Sequence, residues 1–344
     1  MNTKTRNQSV DMLRGLAMLL VVLGHTMTGC TTGSTNTFLF NIIWSLQMPL
    51  FFLISGYVTR YSRGTGKTPA DLGAYLLRRT LVYLLPWASW SFLVRGVLFN
   101  QTDFLNLKWL IGHMDSGYWF LATLWTITVL FGISQFLAGL ITQTGIKKQI
   151  CTGLIYFLFM GGLVLLGKKT GFSFFALKLT LYYMPFYFLG YLAGQYLPNL
   201  PTFPRQKNLV DGLIALSVMG WLYLLLRYHL FSLPDDGLWV LFRAATSLAG
   251  CIAVIGLTGK LLAANSSGLV LFLQQVGFYS LEIYLIHYLL LNLFKLTPFP
   301  SVNTLTGVGL IGLNFILTTI LSLILCRMLH QNRVLKFILF GKQP

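Results

Sequence analysis

The chain has 344 residues, 55% of them hydrophobic and only 10% charged, with a formal net charge of +17. Soluble domains carry about a quarter charged residues, so this composition excludes an ordinary soluble domain and indicates a membrane protein. The basic excess is what the loops of a membrane protein supply to set orientation, and it gives no ground for a nucleic-acid partner.

Apolar runs near the ~20 residues that cross a bilayer as helix recur along the chain. They predict helices near 10–29, 38–58, 74–99, 118–140, 150–167, 174–197, 208–230, 238–263, 276–296 and 304–330. The fold class expected is therefore all-α integral membrane, with about ten transmembrane helices and a single membrane domain over 1–344. The first run is long and no small-residue cleavage site follows it, so it is expected to be an uncleaved first span. Ten spans place both termini on one side. If that side is cytosolic, most Lys and Arg fall in cytosolic segments, including Arg60, Arg63, Arg78, Arg79, Lys147 and Lys148. The outer loops then keep only Lys108, Lys168, Lys169, Lys178 and Lys295, with the Lys168 cluster discordant. Both termini are expected in the cytosol. The cysteines (Cys30, Cys151, Cys251, Cys326) form no close pair, which argues against a disulfide framework or a zinc site. No metal is expected.

The first helix carries "DMLRGLAMLLVVLGH" from Asp11 to His25. At ~100° per residue, His25 lies about 20° from Arg14 around the helix, and Asp11 within about 40° of the same direction. An Arg at mid-helix costs roughly 2.5–3.5 kcal/mol on insertion scales, so this stripe must face protein or water. Arg14 and His25 are about 16 Å apart along the axis, too far to be partners. They fit contacts to two parts of one long ligand, or to two ligands meeting inside the membrane. The plainer alternatives are a snorkelling Asp11–Arg14 pair and a hydrogen-bonded interfacial histidine.

The second helix ends in "QMPLFFLISGY", where Ser55-Gly56 allows close packing or a polar contact. "HMDSGYWFLATL" places His113 and Asp115 before the Trp119 aromatic cluster, either an interfacial belt or a surface for a sugar ring. In "YYMPFYFLGYLAG", Pro185 is expected to bend the sixth helix, and Gly190 and Gly194 form a GxxxG packing face. The ninth helix carries "FYSLEIYLIHYLL". Ser280 and His287 share a face with Tyr284 beside them, whereas Glu282 points about 140° from His287. Glu282 and His287 each need a partner on another helix.

Together these stretches resemble the integral-membrane acyltransferase 3 family, the bacterial group that O-acetylates glycans. The resemblance rests on Asp11, Arg14-Gly15 and His25 after ten intervening residues, on "MPLFFLISGY", on "YWFLATL" and on "YSLEIYLIH", in that order along the chain. The second segment is most similar to the branch of fucose 4-O-acetylases, although Gln47 stands where that branch commonly has His. The resemblance implies a multi-pass protein of the bacterial cytoplasmic (inner) membrane and acetyl-CoA as cytosolic acyl donor. It also implies a glycan or lipid-linked sugar hydroxyl as acceptor and no permanently bound cofactor. It marks Arg14 and His25 as the residues most tied to activity, with Glu282 and His287 as further catalytic candidates. Arg14, Arg78, Arg79 and Ser55 are donor-binding candidates. Asp11, Tyr284, Trp119, His113 and Asp115 are acceptor-binding candidates. His25 is expected to act as general base, with a transient acyl-histidine as a second route.

A secondary transporter or flippase would also place Arg, Glu and His at midplane, but neither an inverted repeat nor a matched pair of broken helices is visible. An intramembrane protease is disfavoured because Leu53 stands where a Gly-x-Ser-Gly needs its first glycine. A lipid-modifying membrane O-acyltransferase would keep the chemistry and change the acceptor.

Overall fold

The computed structural model describes residues 7–62, 64–98, 112–114, 117–143, 145–171, 174–197, 207–263, 268–291 and 293–342. Among them every regular element is helical: α1 (Gln8–Cys30), α2 (Phe38–Tyr57), α3 (Pro69–Ser91), α4 (Trp119–Ile141), α5 (Gly145–Thr170) and α6 (Leu177–Tyr196). These are followed by α7 (Lys207–Arg227), α8 (Gly237–Ala263), α9 (Gly268–Phe278), α10 (Ser280–Leu290), α11 (Leu305–Leu329) and α12 (Arg333–Phe340). A π-helical stretch, Phe92–Leu98, prolongs α3.

Seven of these helices are long and apolar enough to cross a membrane: α1, α2, α4, α5, α7, α8 and α11. The pair α9 and α10 makes an eighth if counted as one broken span. Their outward surfaces are what lipid requires, with Leu158, Leu238 and Leu305 73%, 78% and 89% exposed. Large apolar side chains exposed to this degree on long apolar helices suit lipid and not water. The chain is an all-α integral membrane protein. The helices expected at 74–99 and 174–197 form as α3 and α6, long enough to cross but less apolar than the seven, because Arg78 and Arg79 in one and clustered tyrosines in the other dilute the apolar run.

The ninth predicted helix requires correction. In place of one span over 276–296, α9 begins at Gly268 and ends at Phe278, and α10 leaves it at an angle of 83° and ends at Leu290. No proline or glycine pair marks the bend; Tyr279 carries it with φ −100° and ψ 16°. Helix α6, by contrast, continues through Pro185.

The chain divides into two compact units, Met1–Ile54 with Tyr196–Met328, and Ser55–Gln195 with Leu329–Pro344. In the first unit, α1 packs on α8, α9 and α10. The α1–α9 crossing is backbone against backbone. A Cβ at Gly15 would strike the Leu273 carbonyl, and one at Gly277 would strike the Asp11 carbonyl. Small residues permit such close approach, and van der Waals contact then holds membrane helices together. Met12, Val270 and Leu273 fill the space beside the crossing, with Leu16 and Leu19 against them. Asn41 of α2 is fully buried and closes the end of α7. Its amide donates to the Leu225 (3.0 Å) and Tyr228 (2.8 Å) carbonyls and accepts from the Leu230 N–H (2.9 Å). Reciprocal bonds between Thr32 and the Pro300–Val302 strand-like segment, both 3.0 Å, tie the loop after α1 to the one before α11.

In the second unit, α4 packs on α3 and α5, and α12 packs on α3. Gly56 meets the Tyr187 backbone and Gly194 meets that of Tyr57, so Gly56 and Gly194 serve close helix contact as expected. Thr68 and Asp71 form a reciprocal capping box at the start of α3. Hydrogen bonds from the Thr68 hydroxyl and from the Thr68 and Lys67 N–H groups hold the Asp71 carboxyl below its ordinary pKa. On α12, the Trp90 indole donates to the Leu339 carbonyl at 2.8 Å and stacks on Phe340.

Candidate functional site

The site is built on α1. Asn7 caps the helix, its side chain accepting from the Ser9 and Val10 N–H groups. Asp11 and Arg14 then follow one turn apart. Asp11 is 6% exposed, and its Oδ1 lies 4.0 Å from Arg14 Nη1. The helix is continuous to Cys30, so His25 stands about 16 Å further along the same face.

There the histidine meets α10. The His25 ring lies 5.4 Å from that of His287 and 5.2 Å from that of Tyr288. His287 is itself 5.2 Å from Tyr288 and 5.8 Å from Tyr284. His287 is fully buried, with its Nδ1 3.0 Å from the Ile283 carbonyl. Its Nε2 is buried and has no hydrogen-bond partner among the described residues. Of the candidates in this unit, the fold thus brings His25, His287 and Tyr284 together. Tyr288 is a member that the sequence did not single out, although it stands next to His287. Glu282 is fully buried on α10, and because that helix is regular it keeps its wide angle from His287. Gln47, noted as a departure from the fucose branch, points its Oε1 towards α1. A Cβ at Gly24, next to His25, would meet that atom at 3.3 Å, and it too lacks a hydrogen-bond partner among the described residues.

The bend explains the assembly. Gly277 seats α9 on Gly15 and Asp11 near the start of α1, and the turn at Tyr279 sends α10 off so that its second half reaches His25. A straight helix could not meet α1 in both places.

The second unit holds the other candidates. Arg78 and Arg79 of α3 are half-buried, with the Arg79 guanidinium over the Tyr75 ring at 4.9 Å. The fully buried Tyr187 has a hydroxyl with no hydrogen-bond partner among the described residues. Ser55 is partly buried at the end of α2. Trp119 stacks on Tyr183 at 5.7 Å and 18°, a flat aromatic pair at the start of α4. His113 is exposed, and Asp115 lies outside the described residues. An open cleft of about 400 Å³ is lined by Gly64, Thr65, Gly66, Lys67, Gln135 and Lys148, a grouping no motif had marked.

Fold and site thus define a polytopic membrane protein whose arginine-bearing first helix meets, through His25, a buried histidine of α10. The family model described as an acyltransferase domain (acyltransferase 3) matches residues 7–327, and the chain belongs to that family. The nodulation protein NolL of Sinorhizobium fredii is 25% identical over 228 residues, 60% of this chain and 54% of that protein. The chain therefore spans about half the length of the curated relative it matches. No solved structure is a significant match.

Proposed function

We propose that the protein is a membrane-embedded O-acyltransferase of the bacterial cytoplasmic membrane. It moves an acetyl group from cytosolic acetyl-CoA to a sugar hydroxyl of a cell-envelope or exported glycan, with both termini in the cytosol. The observation that carries this reading is His25 at the α1–α10 contact, with Arg14 on the same face of the same helix. In this reading a His25 ring nitrogen takes the hydroxyl proton as the oxygen attacks the acyl carbon. The thioester C–S bond breaks, and the leaving thiolate recovers that proton as free CoA. Arg14 lines the path of the pantetheine arm. Arg78 and Arg79 pair with donor phosphates, as guanidinium groups do, and Ser55 contacts the donor. Asp11, Tyr284, Trp119, His113 and Asp115 are assigned to the acceptor, and Glu282 to the catalytic groups.

The test is release of free CoA from acetyl-CoA by the protein in nanodiscs, with cell-envelope glycans as acceptor. Wild-type release that needs the glycan is expected, with loss in His25→Ala at unchanged CoA binding and about tenfold weaker CoA binding in Arg79→Ala. Full turnover by His25→Ala would overturn the assignment.

One observation favours a second reading. Broken helices line the binding sites of many transporters, and α9–α10 is such a pair. A glycan or anion transporter would neither bind nor consume acetyl-CoA.

A further inference from the structure

His287 lies deep in the first unit with one nitrogen committed and the other bare. The Ile283 carbonyl 3.0 Å from Nδ1 can only accept, so Nδ1 carries the proton. Nε2 is then the lone-pair nitrogen, and it is buried without a hydrogen-bond partner among the described residues. A buried acceptor left in that state keeps its full desolvation penalty, so a donor belongs there. The rings around it are Tyr284, Tyr288 and His25. Two imidazoles joined by an N–H···N bond have centres about 5.2 Å apart, a ~2.9 Å bond plus two ring radii. The observed separation is 5.4 Å, at an interplanar angle of 43°. The spacing therefore admits that bond once the more accessible His25 ring turns a nitrogen towards Nε2.

We infer that His287 is a positioning residue: its Nε2 accepts the N–H of one His25 nitrogen and so presents the other, with its lone pair, to the acceptor hydroxyl. This rests on the reading of His25 as base. His287 itself touches no substrate. Its tautomer is held by the Ile283 carbonyl, and it holds that of His25 in turn, as the carboxylate of a catalytic triad does for its histidine. When His25 takes the hydroxyl proton, the imidazolium charge is shared across the N–H···N bond. When His25 returns that proton to the CoA thiolate, both rings are again neutral. The proton count is unchanged over the cycle, and no third base is needed.

The experiment compares wild type with His287→Phe and His287→Gln in nanodiscs. Glutamine places an amide oxygen near the Nε2 position, whereas phenylalanine fills the space without an acceptor. His287→Phe is expected to lower kcat by about a hundredfold with KM for acetyl-CoA within about twofold, and His287→Gln to recover to within about tenfold of wild type. The second measurement needs no turnover. With ¹⁵N-labelled histidine, wild type should give one ring protonated at Nδ1 whose other nitrogen accepts a hydrogen bond, and the paired His25 N–H signal should move in His287→Phe. Wild-type turnover with an unaltered kcat in His287→Phe, or a His25 spectrum indifferent to that change, would overturn the inference. If wild type consumes no acetyl-CoA, the proposed function fails, and the nitrogen spectra alone decide whether the pair exists. If His287→Phe does not fold, the wild-type spectrum and His287→Gln decide it.

Discussion

Replacing Gly15 with alanine adds a single methyl group at the tightest point of the first unit. That methyl would overlap the Leu273 carbonyl oxygen, and it would stand 2.8 Å from the Leu273 carbonyl carbon and 3.1 Å from the Gly277 nitrogen. Ordinary contact between carbons is about 3.5–4.0 Å. The obstacle is helix backbone, which has no rotamer to swing aside, so α1 and α9 must part by roughly an ångström. Overpacking of this kind costs about 1–3 kcal/mol. Parting also loosens Met12, Val270 and Leu273 beside the crossing, so the upper end of that range is expected. His25 lies about 15 Å further along α1, and a catalytic group displaced by ~1 Å can lose a hundredfold in rate. The assay pairs reversible unfolding in detergent with CoA release in nanodiscs. Gly220→Ala is the control, since nothing lies within 4 Å of its Cβ position and alanine gains about 0.5–1 kcal/mol over glycine inside a helix. If Gly15→Ala proves as stable and as active as Gly220→Ala, the crossing does not position His25.

Asn41→Leu should destabilise the protein by about 2–4 kcal/mol, because it leaves the buried Leu230 N–H and two carbonyls without their partner; denaturant unfolding reads the loss. At the α3 capping box, the Asp71 carboxyl is held below its ordinary value, so its contribution is complete above about pH 4 and fades as pH falls through the lowered folded value. The Tm difference between wild type and Asp71→Asn should therefore be steady from pH 7 to 5 and narrow on further acidification. A difference that widens towards low pH would contradict the capping role.

Several elements were legible because they depend on local pattern alone. The apolar runs at 10–29, 118–140, 238–263 and 304–330 became α1, α4, α8 and α11 within a few residues, since twenty apolar residues in lipid must satisfy their backbone as helix. The polar stripe of Asp11, Arg14 and His25 was equally plain, because helical period and the cost of a buried charge act along one segment. Small residues also spoke for themselves: Gly56 and Gly194 were expected at helix contacts and lie there. The bend at Tyr279 was invisible, since no residue there breaks a helix by its own chemistry. Tyr288 went unmarked for a related reason. An aromatic residue on an apolar helix is ordinary until one knows what its ring faces.

The sequence by itself determined that this chain lives in a bilayer, that it is helical, and that it keeps an acid, an arginine and histidines where lipid would exclude them. Those conclusions follow from transfer energies and helix geometry, which belong to single segments. Only the tertiary structure decided which polar groups meet. Gly15 against α9, Gly277 against α1 and the 83° turn between α9 and α10 bring His287 to His25 from more than 250 residues away along the chain. That pairing arises from contact between helices, and no periodicity within either helix contains it.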